Sequence, residues 1–138
     1  MLTFHNEAAL LSPVRRSLQY RGFAAQREEV QFFEYSIDLY AFDVRADSTV
    51  AVELKLAKWM RAFEQALIYQ LCADRVYLAL PMAAARKVDR PLLEEHGLGL
   101  IGVQPGPRCK ILLPAAQSTV VMPSYRRFYI DLVKGVYA

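Results

Sequence analysis

Residues 35–56 read YSIDLYAFDVRADSTVAVELKL. Aromatic and β-branched residues fill two runs, Tyr35 to Phe42 and Thr49 to Leu56, with the polar segment Asp43 to Ser48 between them. That pattern predicts two strands joined by a turn. In the second strand Val52, Leu54 and Leu56 point one way, and Glu53 and Lys55 the other. Upstream, residues 24–31 form a shorter candidate strand. Before it, Glu7, Leu11, Val14 and Leu18 lie on one face of a helix over Asn6 to Arg21, which Gly22 would end. Ser12-Pro13 offers a second reading, as N-cap and first-turn proline, in which the helix starts there and Glu7 sits in a preceding turn or a separate short helix.

Downstream, the spacing of Trp59, Phe63, Ala66, Leu67 and Gln70 predicts a helix over residues 58–72. Arg75 to Leu80 is an apolar strand ended by Pro81. A helix from Met82 to Glu95 follows, with His96 at its negative end and Gly97 as its stop. Leu98 to Val103 is a strand, Gln104-Pro-Gly-Pro a turn, Cys109 to Leu113 a further strand, and Ser124 to Val133 a helix. The expected fold is α/β, a mixed central sheet flanked by helices, in the order αβββαβ with an αβ extension. Its hairpin portion should be antiparallel and its later strands parallel.

With 138 residues, 54% hydrophobic and 22% charged, the chain suits one packed domain over 1–138, its core about 5–103 and its C-terminal extension about 104–138. The net charge of +3 identifies no nucleic-acid partner and opposes none. It is unevenly spread, net −1 over residues 1–69 and +4 over 70–138. Cys72 and Cys109 have neither zinc-site nor disulfide-scaffold spacing, so a reduced, cytoplasmic protein is expected. MLTFHNEAALLSP lacks the pattern of a secretory leader, and no apolar run reaches membrane-span length, so no membrane partner is expected.

Three charges interrupt the two apolar strands: Asp38 in the first, Glu53 and Lys55 in the second. On neighbouring strands Asp38 and Glu53 come side by side, while Glu53 and Lys55 share a face about 7 Å apart. A Glu-x-Lys pair on an edge strand is also ordinary solvent decoration, and an isolated Asp is often a strand-end residue. A buried ion network is another reading. Charges between apolar neighbours on both successive strands favour a site. Two carboxylates with waters and phosphate oxygens suit Mg²⁺ or Mn²⁺, and the ammonium stands beside them.

The series Glu7, Ile37-Asp38, Val52-Glu53-Leu54-Lys55 and Gln65-Ala-Leu-Ile-Tyr69 resembles the PD-(D/E)XK nuclease superfamily, which has the restriction-endonuclease-like fold. The resemblance covers roughly residues 5–103. The Gln-x-x-x-Tyr pair is similar to that of RecB-like members, and the small size and Glu, Asp, Glu-x-Lys series to archaeal Holliday junction resolvases. Ile37 stands where proline is usual. The resemblance implies that Asp38 and Glu53 bind the divalent metal, with the Leu54 carbonyl as a third ligand. Lys55 would orient or deprotonate the attacking water and stabilise charge on the phosphate. Gln65 would bond a site ligand or phosphate, Tyr69 would support it, and Glu7 would be a further site carboxylate, with Glu28 and Glu34 as alternatives.

The expected function is therefore Mg²⁺- or Mn²⁺-dependent hydrolysis of phosphodiester bonds, in DNA first, as an endo- or exonuclease. The alternative is an inactive nuclease-fold DNA-binding or scaffold subunit of a repair, defence or mobile-element complex. A homodimer would suit cleavage of two strands, and a larger protein complex is the other expected assembly. Trp59 and Phe63 read as core; Lys58 and Arg61 as solvated charges or phosphate contacts; Arg86, Lys87 and Arg90 as a basic cluster on one helix. Ser124-Tyr-Arg-Arg-Phe-Tyr reads as a docking helix or as a basic, base-stacking surface. His5 and His96 form no metal-spaced pair, and serine-hydrolase and phosphate-loop motifs are absent.

Overall fold

The computed structural model describes residues 4–106 and 108–135. Met1 to Thr3, Pro107 of the predicted turn, and 136–138 lie outside the described residues. Six strands, β1 (Ala25–Phe32), β2 (Tyr35–Asp43), β3 (Ser48–Leu54), β4 (Arg75–Pro81), β5 (Gly99–Gln104) and β6 (Arg108–Leu113), form one sheet in chain order. The meander β1–β2–β3 is antiparallel, β3–β4–β5 is parallel, and β6 returns antiparallel to β5. The α/β mixed sheet flanked by helices is thus present; the expectation that all later strands run parallel fails at β6, because a tight turn can join only antiparallel neighbours.

Among the described residues five helices cover the sheet: α1 (Ala8–Tyr20), α2 (Trp59–Tyr69), α3 (Met82–Ala85), α4 (Arg90–Glu95) and α5 (Pro123–Val133). Period-two alternation divides the core. Val76, Leu78 and Leu80 of β4 join the cluster that holds Ala62, Phe63, Ala66 and Tyr69 of α2 and Tyr129 of α5. Tyr77 and Ala79 point the other way, to Leu10, Val14 and Leu18 of α1. Burying such faces is the main stabilising contribution, at about 25 cal/mol per Å² of apolar surface.

The boundaries depart from the sequence reading at four places. α1 starts at Ala8 and runs through Pro13, so Ser12 is no N-cap; the Asn6 side chain accepts the Ala9 N–H at 3.0 Å. Pro13 lacks the donor that would meet the Ala9 carbonyl, and its own burial offsets the loss. The helix expected over Met82 to Glu95 is two: Pro91 sits in the first turn of the second, where its missing N–H is not needed, and Asp89 caps that turn by accepting the Leu92 N–H at 3.2 Å. α2 buries Ala62 and Tyr69 rather than Leu67 and Gln70, a rotation of the predicted stripe, and ends at Tyr69. β3 stops at Leu54, not Leu56, for a reason that belongs to the site.

The C-terminal part is built into the domain. Arg126 of α5 donates to Asp74 at 3.0 and 3.1 Å, and Tyr129 donates to the Gln31 carbonyl at 2.5 Å. The Ser124 to Tyr129 segment therefore docks. No helix among the described residues is long and apolar enough to cross a membrane.

Candidate active site

The β2–β3 ladder pairs Leu39 with Val52, and its register continued by one residue sets Asp38 opposite Glu53. The strands part there. Asp38 Oδ2 accepts the Leu54 N–H at 2.7 Å, in place of a backbone carbonyl of β2, while the Lys55 N–H donates to Ala79 of β4 at 3.0 Å. An extended residue turns its N–H and C=O to the same side, so the Leu54 carbonyl faces the same gap. Side-chain alternation along β2 also breaks at Asp38: Ile37 packs on the α2 side and Leu39 on the α1 side. Across the β1–β2 ladder from that break stands Glu29, at φ 51°. The break lets Asp38 turn to β3 instead of into either core.

Glu53 is 6% exposed and its Oε1 accepts from the Tyr69 hydroxyl at 3.0 Å. The same hydroxyl lies 3.2 Å from the Ser36 carbonyl, and its one proton serves one acceptor at a time. The two carboxyls act on each other, an effect that lowers Asp38 and raises Glu53. Burial and then the Asp38 charge push the Glu53 carboxyl up to about 8, against the opposing effects of Tyr69 and Lys55. Asp38 is raised as well, first by burial, with the Leu54 N–H opposing. Burial, followed by the Glu53 charge, holds the Tyr69 phenol protonated well above its ordinary range. Two neighbouring buried acids cannot both ionise cheaply, which is the direction both shifts take.

Lys55 lies just past β3, and its charge favours ionisation of both carboxyls. Its Nζ is 3.8 Å from Glu7, at the N-cap of α1, and Glu7 in turn acts on Asp38. The alternatives to Glu7 stand apart: Glu28 pairs with Arg15, and Glu34 is exposed in the turn between β1 and β2. Gln65, one turn before Tyr69 on α2, has a buried Oε1 without a hydrogen-bond partner and lines a cleft of about 320 Å³ with Tyr35, Arg61 and Glu64. Arg61 stands one turn before Gln65, a spacing visible in the sequence; Tyr35 carried no such signal. The structure thus brings Glu7, Asp38, Glu53, Lys55 and Tyr69 together, with Gln65 one turn away on the same helix.

Among the described residues, no three His, Cys, Asp or Glu side chains form a ready metal cage. The donor set is smaller: two carboxylates and a turned carbonyl, with a buried amide oxygen nearby that lacks a partner. Hard oxygen donors that leave room for water suit Mg²⁺ or Mn²⁺. A cation between Asp38 and Glu53 would relieve the repulsion that raises Glu53. His96 accounts for itself structurally, its Nδ1 3.0 Å from the Leu92 carbonyl at the end of α4.

No family model matches the chain, and no curated protein does. Among solved structures it is similar to a protein of unknown function from Silicibacter pomeroyi, at 20% identity and a TM-score of 0.72, over 94% of this chain and 84% of that one. At this identity the likeness concerns the fold alone.

Proposed function

We propose that the protein is a divalent-metal-dependent nuclease of the PD-(D/E)XK kind, with a restriction-endonuclease-like fold, hydrolysing phosphodiester bonds in DNA. The order αβββαβ supports the fold assignment, with its antiparallel meander and the parallel step from β3 to β4 through α2. The observation that carries the function is the placement of Asp38 opposite Glu53 where β2 and β3 part, Asp38 held by the Leu54 N–H and Glu53 by Tyr69, with the Lys55 ammonium acting on both.

Asp38, Glu53 and the Leu54 carbonyl would hold Mg²⁺ or Mn²⁺. Bound there, the ion supplies Lewis acidity toward the phosphoryl group and lowers the pKa of water. The remaining work falls to the chain. Lys55 places a positive charge where negative charge grows on the phosphate in the transition state, and Glu7 limits where that ammonium can swing. Tyr69 donates to Glu53 once that group ionises, fixing its orientation. The Gln65 oxygen is an acceptor available to an ordered water or to the substrate.

Each chain carries one such site, so cutting both strands of a duplex would need a second copy or a second encounter. The test compares wild type, Glu53→Ala and Lys55→Ala on end-labelled DNA with Mg²⁺, Mn²⁺ or EDTA. Turnover is expected with metal in the wild type only. Equal cleavage by all three proteins, or cleavage in EDTA, would sink the proposal. DNA affinity with steep salt dependence and no turnover would make the protein a non-catalytic binding subunit.

A further inference from the structure

A groove of about 730 Å³ crosses the carboxyl ends of the parallel strands β3, β4 and β5, where open α/β sheets commonly receive ligands. Leu56, the residue after Lys55 of the candidate site, is part of its lining. Leu56 and Met82 give it an apolar lining, half-buried Trp59 adds an aromatic wall, and Lys58, Arg86 and Lys87 supply cations. Among the described residues no Asp or Glu lines it, and none of these three cations enters an ion pair.

We infer that this groove takes unpaired nucleotides of the substrate strand beside the scissile phosphate, a base stacking on Trp59 and the backbone meeting Lys58, Arg86 and Lys87. The inference rests on the nuclease reading and gives it a substrate class: strands with accessible bases, such as single strands, flaps or frayed ends. The lining decides between occupants. A purely apolar peptide has no use for three unpaired cations, and a small anion none for the apolar and aromatic walls. A single strand carries both characters in alternation, π-faces and phosphates. Intact duplex shows only its phosphates and groove edges, and its stacked bases cannot reach Trp59. Leu56 and Lys58 follow Lys55 directly in the chain, so a strand bound at the carboxylate pair would continue into the groove.

Trp59 is the single tryptophan of the chain, which makes its emission a direct reporter. Wild-type protein in EDTA is titrated with short oligo(dT) and with a blunt duplex of equal length, following Trp59 emission and the anisotropy of labelled DNA. Oligo(dT) is expected to quench Trp59 and to bind at least about tenfold more tightly than duplex. The double variant Arg86→Ala/Lys87→Ala should lose about tenfold in affinity, with its salt slope reduced by roughly 0.7 for each phosphate contact removed. Trp59→Ala should lose about tenfold and Trp59→Phe much less, each checked for folding by thermal melting. Equal affinity for duplex, or folded variants that bind oligo(dT) like wild type, would overturn the inference. Binding with these variant effects but no metal-dependent cleavage would keep the groove and remove the nuclease reading. Cleavage with binding unchanged in the variants would do the reverse.

Discussion

Asp38 accepts the Leu54 N–H at 2.7 Å across the point where β2 and β3 part, so a side chain ends the ladder that a backbone carbonyl would have continued. That substitution holds one acid in place and leaves Glu53 beside it.

Stability should therefore fall with rising pH in the metal-free protein. An ordinary Glu ionises near 4.5, whereas Glu53 is pushed up to about 8, chiefly by burial. Below 4.5 the folded and unfolded chains both hold the proton, and the folded state keeps its full stability. Between the two values only the unfolded chain releases it, so stability declines through this window by an amount on the order of a few kcal/mol. Melting in EDTA across the range should show this decline. Glu53→Gln, which never ionises, should flatten it, and Mn²⁺ should raise the wild-type midpoint most at the alkaline end. A flat wild-type profile in EDTA would contradict the raised ionisation of Glu53.

Lys55 and Glu7 should separate in their effects. Their ion pair spans 3.8 Å with side chains 22% and 46% exposed, so its loss should change stability by less than about 1 kcal/mol. Under the nuclease reading, Lys55→Ala removes a cation from the transition state and should lower kcat about a hundredfold or more. Glu7→Gln only frees that cation to wander, and a several-fold loss is expected. Comparable, large losses in both would place Glu7 directly in the chemistry.

The carboxylate pair was legible in the sequence because charge inside apolar strands is locally anomalous, and because the turn from Asp43 to Ser48 fixes which residues of β2 and β3 face each other. The two-layer core was legible from period two in β3 and β4. The early end of β3 was not: it depends on a side chain from another strand taking the Leu54 N–H. Pro91 did mark the break between α3 and α4, and the apolar spacing on either side masked it. The groove needs the ends of three parallel strands to align, which no local pattern encodes. Arg126 and Asp74 are 52 positions apart, and nothing local announces their pairing.

That pairing should dominate the attachment of α5. Asp74, 6% exposed, accepts from the Thr49 N–H at 2.8 Å, from the Thr49 hydroxyl at 3.0 Å and from Arg126. Burial alone would raise its carboxyl, but these donors hold it below the usual range. The stability it contributes is present above pH 3.8 and is lost as pH falls through its lowered value. Arg126→Ala leaves a buried carboxylate short of its cation and should cost about 3 kcal/mol; Arg126→Lys, which keeps charge but not the fork, should recover part of this. Denaturant titration at neutral pH measures both. A loss below about 1 kcal/mol for Arg126→Ala would mean that Thr49 suffices together with Gln117, whose side-chain amide donates to Asp74 at 3.2 Å.

Two glycines of β5 should respond differently to the same added methyl. At Gly99 a Cβ would stand 2.3 Å from the Tyr77 ring and 2.7 Å from the backbone nitrogen of Ala115. The ring is packed among the α1-side core residues and the backbone is fixed, so neither can yield cheaply. At Gly102 the obstacle is the far end of Met82, 2.7 Å away at its sulfur, which can rotate aside. Gly99→Ala should therefore destabilise by about 2–3 kcal/mol and Gly102→Ala by less than about 1 kcal/mol. Because Met82 lines the groove, the milder variant should still weaken oligo(dT) binding by displacing it, while a melt shows the fold nearly unchanged. Equal destabilisation at the two positions would mean that Met82 is held as firmly as the Tyr77 ring.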